Sequence, residues 1–349
     1  MTIYLARDGY YIAYAVGTVD LTQWDNAQAA LIVGELNAID KFISANVTHT
    51  KPRTRNINPL TASHYPKRIE TGKLLGKTAN THYLQTGIMT HWVMGACSTA
   101  GVGDPFTKTI TKATDENPIR LATHLEKEGT TANRRKDTMG YVPNQLEITV
   151  SEADPIARQT YTGEFAFTGP GANLAQPTPF TNANLPIYDW FDYKNSSGAS
   201  EFKYNGGAID VDIVDLAIRF GWTDSLFGIF DQTKYPRNGL VVPPFIGEVD
   251  LGIRVVDAGN TALDTISDTI HTSYAGDLDF IADFYKGAND YLRYTFDKMY
   301  VDPESYEEVF QEEGDWFDGV RFTLKFLDEN SSLAVEEKSL LNKEYYENT

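Results

Sequence analysis

The sequence predicts a mainly β fold, built as two antiparallel β domains of the sandwich or barrel kind. Three observations favour this fold class. Apolar and polar residues alternate with a period of two in many short stretches, which is the pattern of strands buried on one face. Tyrosine and phenylalanine are abundant, at 20 and 18 residues, and strands favour both. A chain of 349 residues is also long enough for about two domains.

The first half of the chain contains alternating strands and a short helix. Strands are predicted near residues 39–49, 67–75 and 118–127, followed by a hairpin-like unit over 144–168. A helix is predicted over 82–94, because Leu84, Ile88 and Trp92 recur at helical spacing before a stop at Gly95. Residues 26–38 give a weaker helical pattern.

The second half repeats this order of elements. Strands are predicted over 207–220 and 246–256, a helix over 277–286 that ends at Gly287, and a closing unit over 291–327. In both closing units an alternating strand ends at Asp-Pro, first at Asp154 and then at Asp302. The matched order predicts two related β domains, 1–175 with a long basic loop at 49–66, and 176–349 with a C-terminal extension.

Charge is unevenly distributed along the chain. The net charge is -18, so on average the protein repels nucleic acid. Residues 51–140 nevertheless hold 14 basic and 7 acidic residues, whereas the remainder is strongly acidic. Copies of the chain could therefore attract each other head to tail, although a solvated surface with uneven charge is the simpler interpretation.

Known catalytic signatures do not occur in the sequence. With one cysteine, Cys97, neither an intrachain disulfide nor a cysteine-based zinc site can form. The stretch 70–78 resembles a phosphate-binding loop, but Gly72 and Gly76 enclose one residue too few. No apolar run reaches the ~18 residues of a membrane helix. The sequence predicts no enzyme and no cofactor, and it leaves weak divalent-cation binding in the acidic stretch 306–315 as a minor alternative.

The middle of the chain resembles a known family. The stretch IRLATHLEKEGTTANRRKDTMGYVPNQLEITVSEADPIARQTYTGEFAF (119–167) is similar to the central part of major tail tube proteins of long-tailed viruses of bacteria and archaea. In both, a strand leads to a polar loop ending in glycine (here Gly140), then to a strand, an acidic turn and a further strand. The segments 186–194, 206–220 and 291–327 follow in a similar order, so the resemblance covers roughly residues 35–335.

This resemblance implies a structural protein of the virion tail, assembled in the host cytoplasm. Subunits of the family join their sheets into rings, and the rings stack into a tube through which viral DNA passes during ejection. Such rings usually contain six single-domain subunits, so three copies of a two-domain chain would give the same pseudo-six-fold ring. The partners implied are further copies of the chain, tail terminator, baseplate or tip and tape-measure proteins, with viral DNA only in transit.

The resemblance also suggests roles for charged residues. An acidic lumen repels phosphates, so DNA slides through it without being held. The candidate lumen-lining residues are carboxylates on predicted strands: Glu147, Glu164, Asp210, Asp212 and Asp297. The candidate contacts between rings are basic: Arg53, Arg55, Lys67, Arg68, Arg134, Arg135 and Lys136.

Two other classes of function remain open from the sequence. A receptor- or glycan-binding protein of the tail tip would use exposed aromatic residues such as Trp190, Phe191 and Trp222. An enzyme on a β scaffold is the less favoured class, because neither an acid/base pair nor a nucleophile with its base is evident.

Overall fold

The structure is a computed structural model. It describes residues 13–14, 37–38, 42–50, 53–56, 68–71, 75–100, 105–114, 136–139, 142–165, 167–170, 186–194, 201–204, 207–209, 211–227, 239–254, 278–311 and 317–339. The predicted strand at 118–127 and most of the helix predicted at 26–38 lie outside these residues.

The described part of the chain is mainly β, with antiparallel pairing throughout, as predicted. Its helices are α1 (Ile88–Met94) and α2 (Trp190–Lys194), and a single 3-10 turn covers Pro303–Ser305. Its strands are β1 (Ala13–Tyr14), β2 (Asn37–Ala38), β3 (Phe42–Thr50), β4 (Arg53–Asn56), β5 (Arg68–Thr71), β6 (Leu75–Tyr83), β7 (Gly95–Ala100), β8 (Phe106–Lys112), β9 (Lys136–Met139), β10 (Val142–Ser151), β11 (Arg158–Phe165), β12 (Phe167–Pro170), β13 (Glu201–Tyr204), β14 (Gly207–Ile209), β15 (Asp212–Phe227), β16 (Gly239–Arg254), β17 (Leu278–Gly287), β18 (Asp290–Val301), β19 (Glu307–Gln311), β20 (Phe317–Phe326) and β21 (Ser332–Ser339).

One layer, here called the broad sheet, runs in the order β3-β6-β11-β10-β15-β16-β20 and continues into the end of β18 and β19. Its inner face is apolar because alternate residues of each strand point the same way. Ile148, Ile218, Val249 and Leu324 stand opposite one another in successive strands, and all four are buried. Strands from both halves of the chain thus pair side by side and contribute to a single core.

A second layer, here called the narrow sheet, has the order β14-β13-β17-β18-β21-β8-β7. Its buried face packs on that of the broad sheet through aromatic side chains. The rings of Phe220 and Tyr294 lie 6.1 Å apart, and those of Phe202 and Phe322 lie 6.2 Å apart. Large aromatic side chains of this kind bury much apolar surface, so they account for a large share of the stability of the two-layer core.

The two layers are joined where β18 bends at Lys298. Residues up to Asp297 pair with β21 in the narrow sheet, and residues from Met299 pair with β20 in the broad sheet. Lys298 has a φ of 57°, in the left-handed region that non-glycine residues rarely occupy. The bend is held because the Lys298 carbonyl accepts hydrogen bonds from the Ser331 hydroxyl (2.7 Å) and the Leu327 N–H (3.0 Å).

Helix α1 is shorter than the predicted 82–94 but ends where predicted. Residues up to Tyr83 belong to β6, and the helix begins only at Ile88. Gly95 ends it in the left-handed conformation, with φ at 94°. All residues of α1 are buried between the layers, and the Thr90 and Tyr294 hydroxyls lie 3.0 Å apart within hydrogen-bonding distance.

The helix predicted over 277–286 is wrong, because this segment forms strand β17. Leu278, Phe280, Ala282 and Phe284 occur at every second position and are all buried, whereas Asp279, Ile281 and Tyr285 between and after them are only half-buried. The segment contains both a helical and a period-two pattern, and a short apolar run cannot distinguish them. Pairing with β13 and β18 selects the strand.

Three antiparallel strand pairs extend past the same end of the broad sheet. Beyond Thr50 and Leu75, the β3/β6 pair is followed by β4/β5. The β10/β11 pair is likewise followed by β9/β12. The β15/β16 pair continues past Gly221, where its pairing with β10 ends. We call this the hairpin end of the sheet, and the opposite end, with the β10–β11 turn and the Pro303–Ser305 turn, the turn end.

Candidate functional site: the polar face of the broad sheet

The solvent-facing side of the broad sheet carries a row of charges with alternating sign. Glu147, Arg219, Glu248 and Lys325 stand opposite one another on β10, β15, β16 and β20. Opposite charges directly across neighbouring strands attract, so the row favours this strand order and register.

Arg219 is the centre of this row. Its Nε lies 2.7 Å from Glu147 Oε1, and its Nη1 lies 2.5 Å from Asp250 Oδ2. The Thr323 hydroxyl donates to the other oxygen of Asp250 at 2.7 Å. The planar guanidinium can contact two carboxylates at once, which a lysine would do less well.

Lys325 completes the row at β20. Its ammonium donates a hydrogen bond of 2.6 Å to Asp302 and lies 3.9 Å from Glu248. The hydrogen bond from Lys325 lowers the pKa of Asp302 and raises the pKa of Lys325. Both groups therefore stay charged over a wide pH range.

A second group of ion pairs lies at the turn end of the same face. Lys194 of α2 is 2.6 Å from Asp212, and Arg254 approaches both Glu152 (2.7 Å) and Asp212 (3.7 Å). Arg321 lies 3.8 Å from Asp215. This part of the face is also strongly charged and internally paired.

Acidic residues outnumber basic ones on the described polar face. Lys77 lies on this face, opposite Glu164 of β11. The acidic residues are Glu147, Glu152, Asp154, Glu164, Asp212, Asp215, Glu248, Asp250, Asp302 and Glu307. The basic residues within 4.0 Å of a carboxylate are Arg158, Lys194, Arg219, Arg254, Arg321 and Lys325. A phosphate approaching this face must therefore compete with a carboxylate for every one of these cations. The face disfavours tight binding of polyanions both by its net charge and by this pairing.

The structure places three of the five candidate lumen residues on this polar face. Glu147 and Asp212 are ion-paired there, and Glu164 lies on the same face near the hairpin end of β11. Asp297 instead lies on β18 of the narrow sheet, and Asp210 lies outside the described residues. The sequence also contained a signal for Glu248 and Asp250, which alternate with the buried Val249 and Leu251.

Four of the seven candidate basic residues lie on the strand pairs that extend the hairpin end. Arg53 and Arg55 are on β4, Arg68 is on β5, and Lys136 is on β9. Lys67, Arg134 and Arg135 lie outside the described residues. The same extensions also carry the acidic residues Glu70, Asp137 and Asp224, so their basic excess lies in the β4/β5 pair. The turn end holds acidic residues such as Glu152, Asp154 and Glu307 together with the ion-paired cations Arg158, Lys194 and Arg254.

A different kind of charged cluster is buried between β8 and β21 of the narrow sheet. Lys108 Nζ lies 3.3 Å from Glu337 Oε1 and donates to Ser339 Oγ at 2.7 Å. The N–H of Gly87, just before α1, donates to Glu337 Oε2 at 3.0 Å. Lys108 and Glu337 are almost inaccessible to solvent, so a ligand cannot reach them. The cluster instead links β8, β21 and the start of α1.

The aromatic residues suggested for glycan binding do not form an exposed platform. Trp190 and Trp222 are buried, contrary to that suggestion, and the Trp222 indole donates a hydrogen bond of 2.9 Å to the Val93 carbonyl. Phe191 alone of the three is exposed, at 71%. A single ring does not make a sugar-binding surface.

Within the described residues, His, Cys, Asp and Glu side chains form no group of three or more that could hold a metal ion. No helix in the described part of the chain has the length and apolarity needed to cross a membrane. Neither a family model nor a curated protein matches the sequence.

Proposed function

We propose that this chain is the major tail tube subunit of a long-tailed virus, a structural protein that assembles into stacked rings around a channel for viral DNA. The observation that carries the proposal is a repeated strand order in the broad sheet. The first four strands lie as β3-β6-β11-β10, and the next four lie as β15-β16-β20 followed by the end of β18.

The two sets of strands correspond one to one. In each set the first two strands in the chain form a hairpin, and the last strand lies between the second and the third. In each set the third strand is followed by Asp-Pro at the turn end, at Asp154 and Asp302. This correspondence supports two tandem modules of the tail-tube type, divided near residue 175.

The joint between the modules suggests how copies of the chain associate. Inside the chain, β10 of the first module pairs with β15 of the second from Gln145 to Ser151. Among the described strands, β3 pairs only with β6. Within the same described part, strand β19 pairs only with β20, along which it follows the end of β18. These two free edges correspond to the two edges that meet inside the chain, so the same joint can form between copies and repeat until a ring closes.

The polar face would then line the channel. The other face of the broad sheet is covered by α1 and the narrow sheet, so the uncovered polar face is the one that can line a channel. Its excess of carboxylates, together with the ion pairing of Arg158, Arg219, Arg254 and the other paired cations, suits a surface past which DNA slides.

Stacking of rings would use the two ends of the broad sheet. The basic β4/β5 pair at the hairpin end of one ring would face the acidic residues at the turn end of the next, which is a heterologous contact that builds an open filament. Because this contact joins opposite charges, stacking should weaken as the ionic strength rises.

Negative-stain electron microscopy of the purified protein tests the function directly. Stacked rings with a central hole support it, whereas isolated particles under all conditions of concentration and salt contradict it. An edge-blocking pair of variants makes the test specific. Neighbouring residues of a strand direct their N–H groups to opposite sides. Proline has no N–H group, so one of the two variants Asn46→Pro and Val47→Pro removes a donor from the free edge of β3. The other variant removes a donor that faces β6.

The variant that changes the free edge should fold as wild type does but fail to form rings. The other should lose stability instead, which circular dichroism and thermal unfolding would detect. Normal rings from both variants would contradict the proposed joint.

The lining of the channel can be tested through Arg219. In the double variant Glu147→Gln with Asp250→Asn, this cation loses both carboxylate partners and two negative charges disappear from the polar face. We expect the variant to bind labelled single-stranded DNA at low salt, seen as a rise in fluorescence anisotropy. We expect wild type to give no rise. Equal behaviour of both proteins would contradict the role of ion pairing in keeping DNA unbound.

A further inference from the structure

Two large apolar side chains are exposed together at the turn end. Among the described residues, the exposed large hydrophobic side chains are Ile156, at 40%, and Phe191, at 71%. They lie on neighbouring segments, because the start of α2 is hydrogen-bonded to the β10–β11 turn. Ile156 and Asp189 form an isolated antiparallel β-bridge, and the Trp190 N–H donates a hydrogen bond of 2.7 Å to the Pro155 carbonyl. We call these two side chains the apolar knob.

A groove lies at the opposite, hairpin end of the broad sheet. It has a volume of ≈ 960 Å³, within the range of about 300–1,000 Å³ typical of binding pockets. It lies between the extended part of β15/β16 and the turn from β20 to β21. Its apolar lining includes Trp222, Pro243, Pro244, Phe245, Phe326 and Leu327.

The groove has a preformed aromatic floor. The Phe245 ring lies 5.2 Å from Trp222 and 6.4 Å from Phe326. Phe326 can lie flat over β16 because position 247 is glycine, since a Cβ there would come within 2.4 Å of the ring. The shape of the groove is therefore set by packing within the chain.

The knob and the groove cannot meet within one copy. Strand β10 runs from the hairpin end at Val142 to the turn end at Ser151, so the length of the broad sheet separates them. An apolar projection at one end and an apolar groove at the other are suited to a head-to-tail contact between copies, and such a contact repeats along a filament.

We infer that the apolar knob of one copy docks into the groove of the next copy along the tube axis. This inference rests on the proposed function, because the stacked rings place the turn end of one copy against the hairpin end of another. It adds an apolar anchor to the charged contacts, so stacking should retain a component that high salt does not abolish.

Disulfide trapping tests the contact. In a Cys97→Ser background, Phe191→Cys is combined with Ser332→Cys, because Ser332 is exposed and lines the groove. Each copy then carries one cysteine at each end, so mild oxidation should give a ladder of covalent dimers, trimers and larger species that a reductant reverses. The matched control combines Phe191→Cys with Glu304→Cys, both at the turn end, and should give no ladder beyond dimers. Absence of the ladder, or an equal ladder in the control, would overturn the inference.

Phe191→Ala provides an independent measurement. Loss of a buried aromatic ring should raise the protein concentration needed for stacking about 10- to 100-fold, and Phe191→Leu should recover most of the loss. If wild-type rings stack and Phe191→Ala stacks equally well, the knob contact is wrong while the tube function stands. If wild type forms no rings, the tube function is wrong, and the ladder then decides separately whether the contact exists.

Discussion

Ion pairs occur in two very different settings in this molecule. Lys108 and Glu337 are almost fully buried on β8 and β21 of the narrow sheet, whereas Arg219 pairs with both Glu147 and Asp250 on the open face of the broad sheet. The buried pair has no access to water, so each partner depends on the other for its stability. The exposed charges are hydrated, so their pairing contributes little to the fold and chiefly determines what the surface presents to other molecules.

The largest expected effect is therefore at Lys108. Lys108→Ala leaves the Glu337 carboxylate buried without its cation, which should lower the free energy of unfolding by about 3–5 kcal/mol. Urea denaturation followed by circular dichroism measures this loss.

A double variant serves as its control. Lys108→Met with Glu337→Gln removes both charges together and retains an amide oxygen that can accept from the Gly87 N–H. It should be much closer to wild type than Lys108→Ala is. Equal destabilisation by the single and the double variant would show that packing, and not the uncompensated charge, dominates at this site.

A much smaller effect is expected at Arg219. Arg219→Ala breaks two ion pairs, but the guanidinium is 44% exposed, so the loss of unfolding free energy should be about 1 kcal/mol or less. The same denaturation experiment measures it. A loss above about 2 kcal/mol would mean that the exposed ion pairs stabilise the fold to an extent approaching that of a buried pair.

The smallest expected effect is at Asp302, and it depends on pH. The hydrogen bond from Lys325 lowers the pKa of Asp302 in the folded protein, so the interaction stabilises above the ordinary Asp pKa of about 3.9 and is lost as the pH falls through the lower, folded value. Asp302→Asn, which keeps an oxygen to accept from the Glu304 N–H, should cost roughly 0.5 kcal/mol at neutral pH. Thermal unfolding of the two proteins from pH 7 to pH 2 should show the difference shrinking with acid, and a constant difference would contradict this account.

The sequence was most informative about individual strands. The alternation of Leu146, Ile148 and Val150 predicts strand β10 and its buried face, and both are present in the structure. The same reasoning failed for β17, where Leu278, Ile281 and Ala282 also match helical spacing. It missed α2 because five residues are too few for helical periodicity to show.

The candidate site was less predictable because it depends on distant pairing. Glu147 and Arg219 are 72 residues apart in the chain, and only the register between β10 and β15 brings them to 2.7 Å. A strand pattern shows which residues share a face, but it does not show which strands are neighbours. The strand pattern and the resemblance therefore predicted carboxylates on the face without predicting the cations that pair with them.

The bend at Lys298 has a consequence for how the molecule comes apart. Because β18 belongs to both layers, neither layer can open at this strand without breaking pairing in the other. The two layers should consequently unfold as one cooperative unit, and hydrogen exchange at the amides of Phe296 and Val301, on either side of the bend, should require the same global opening. A chain with this property would respond to a mechanical load as a single body.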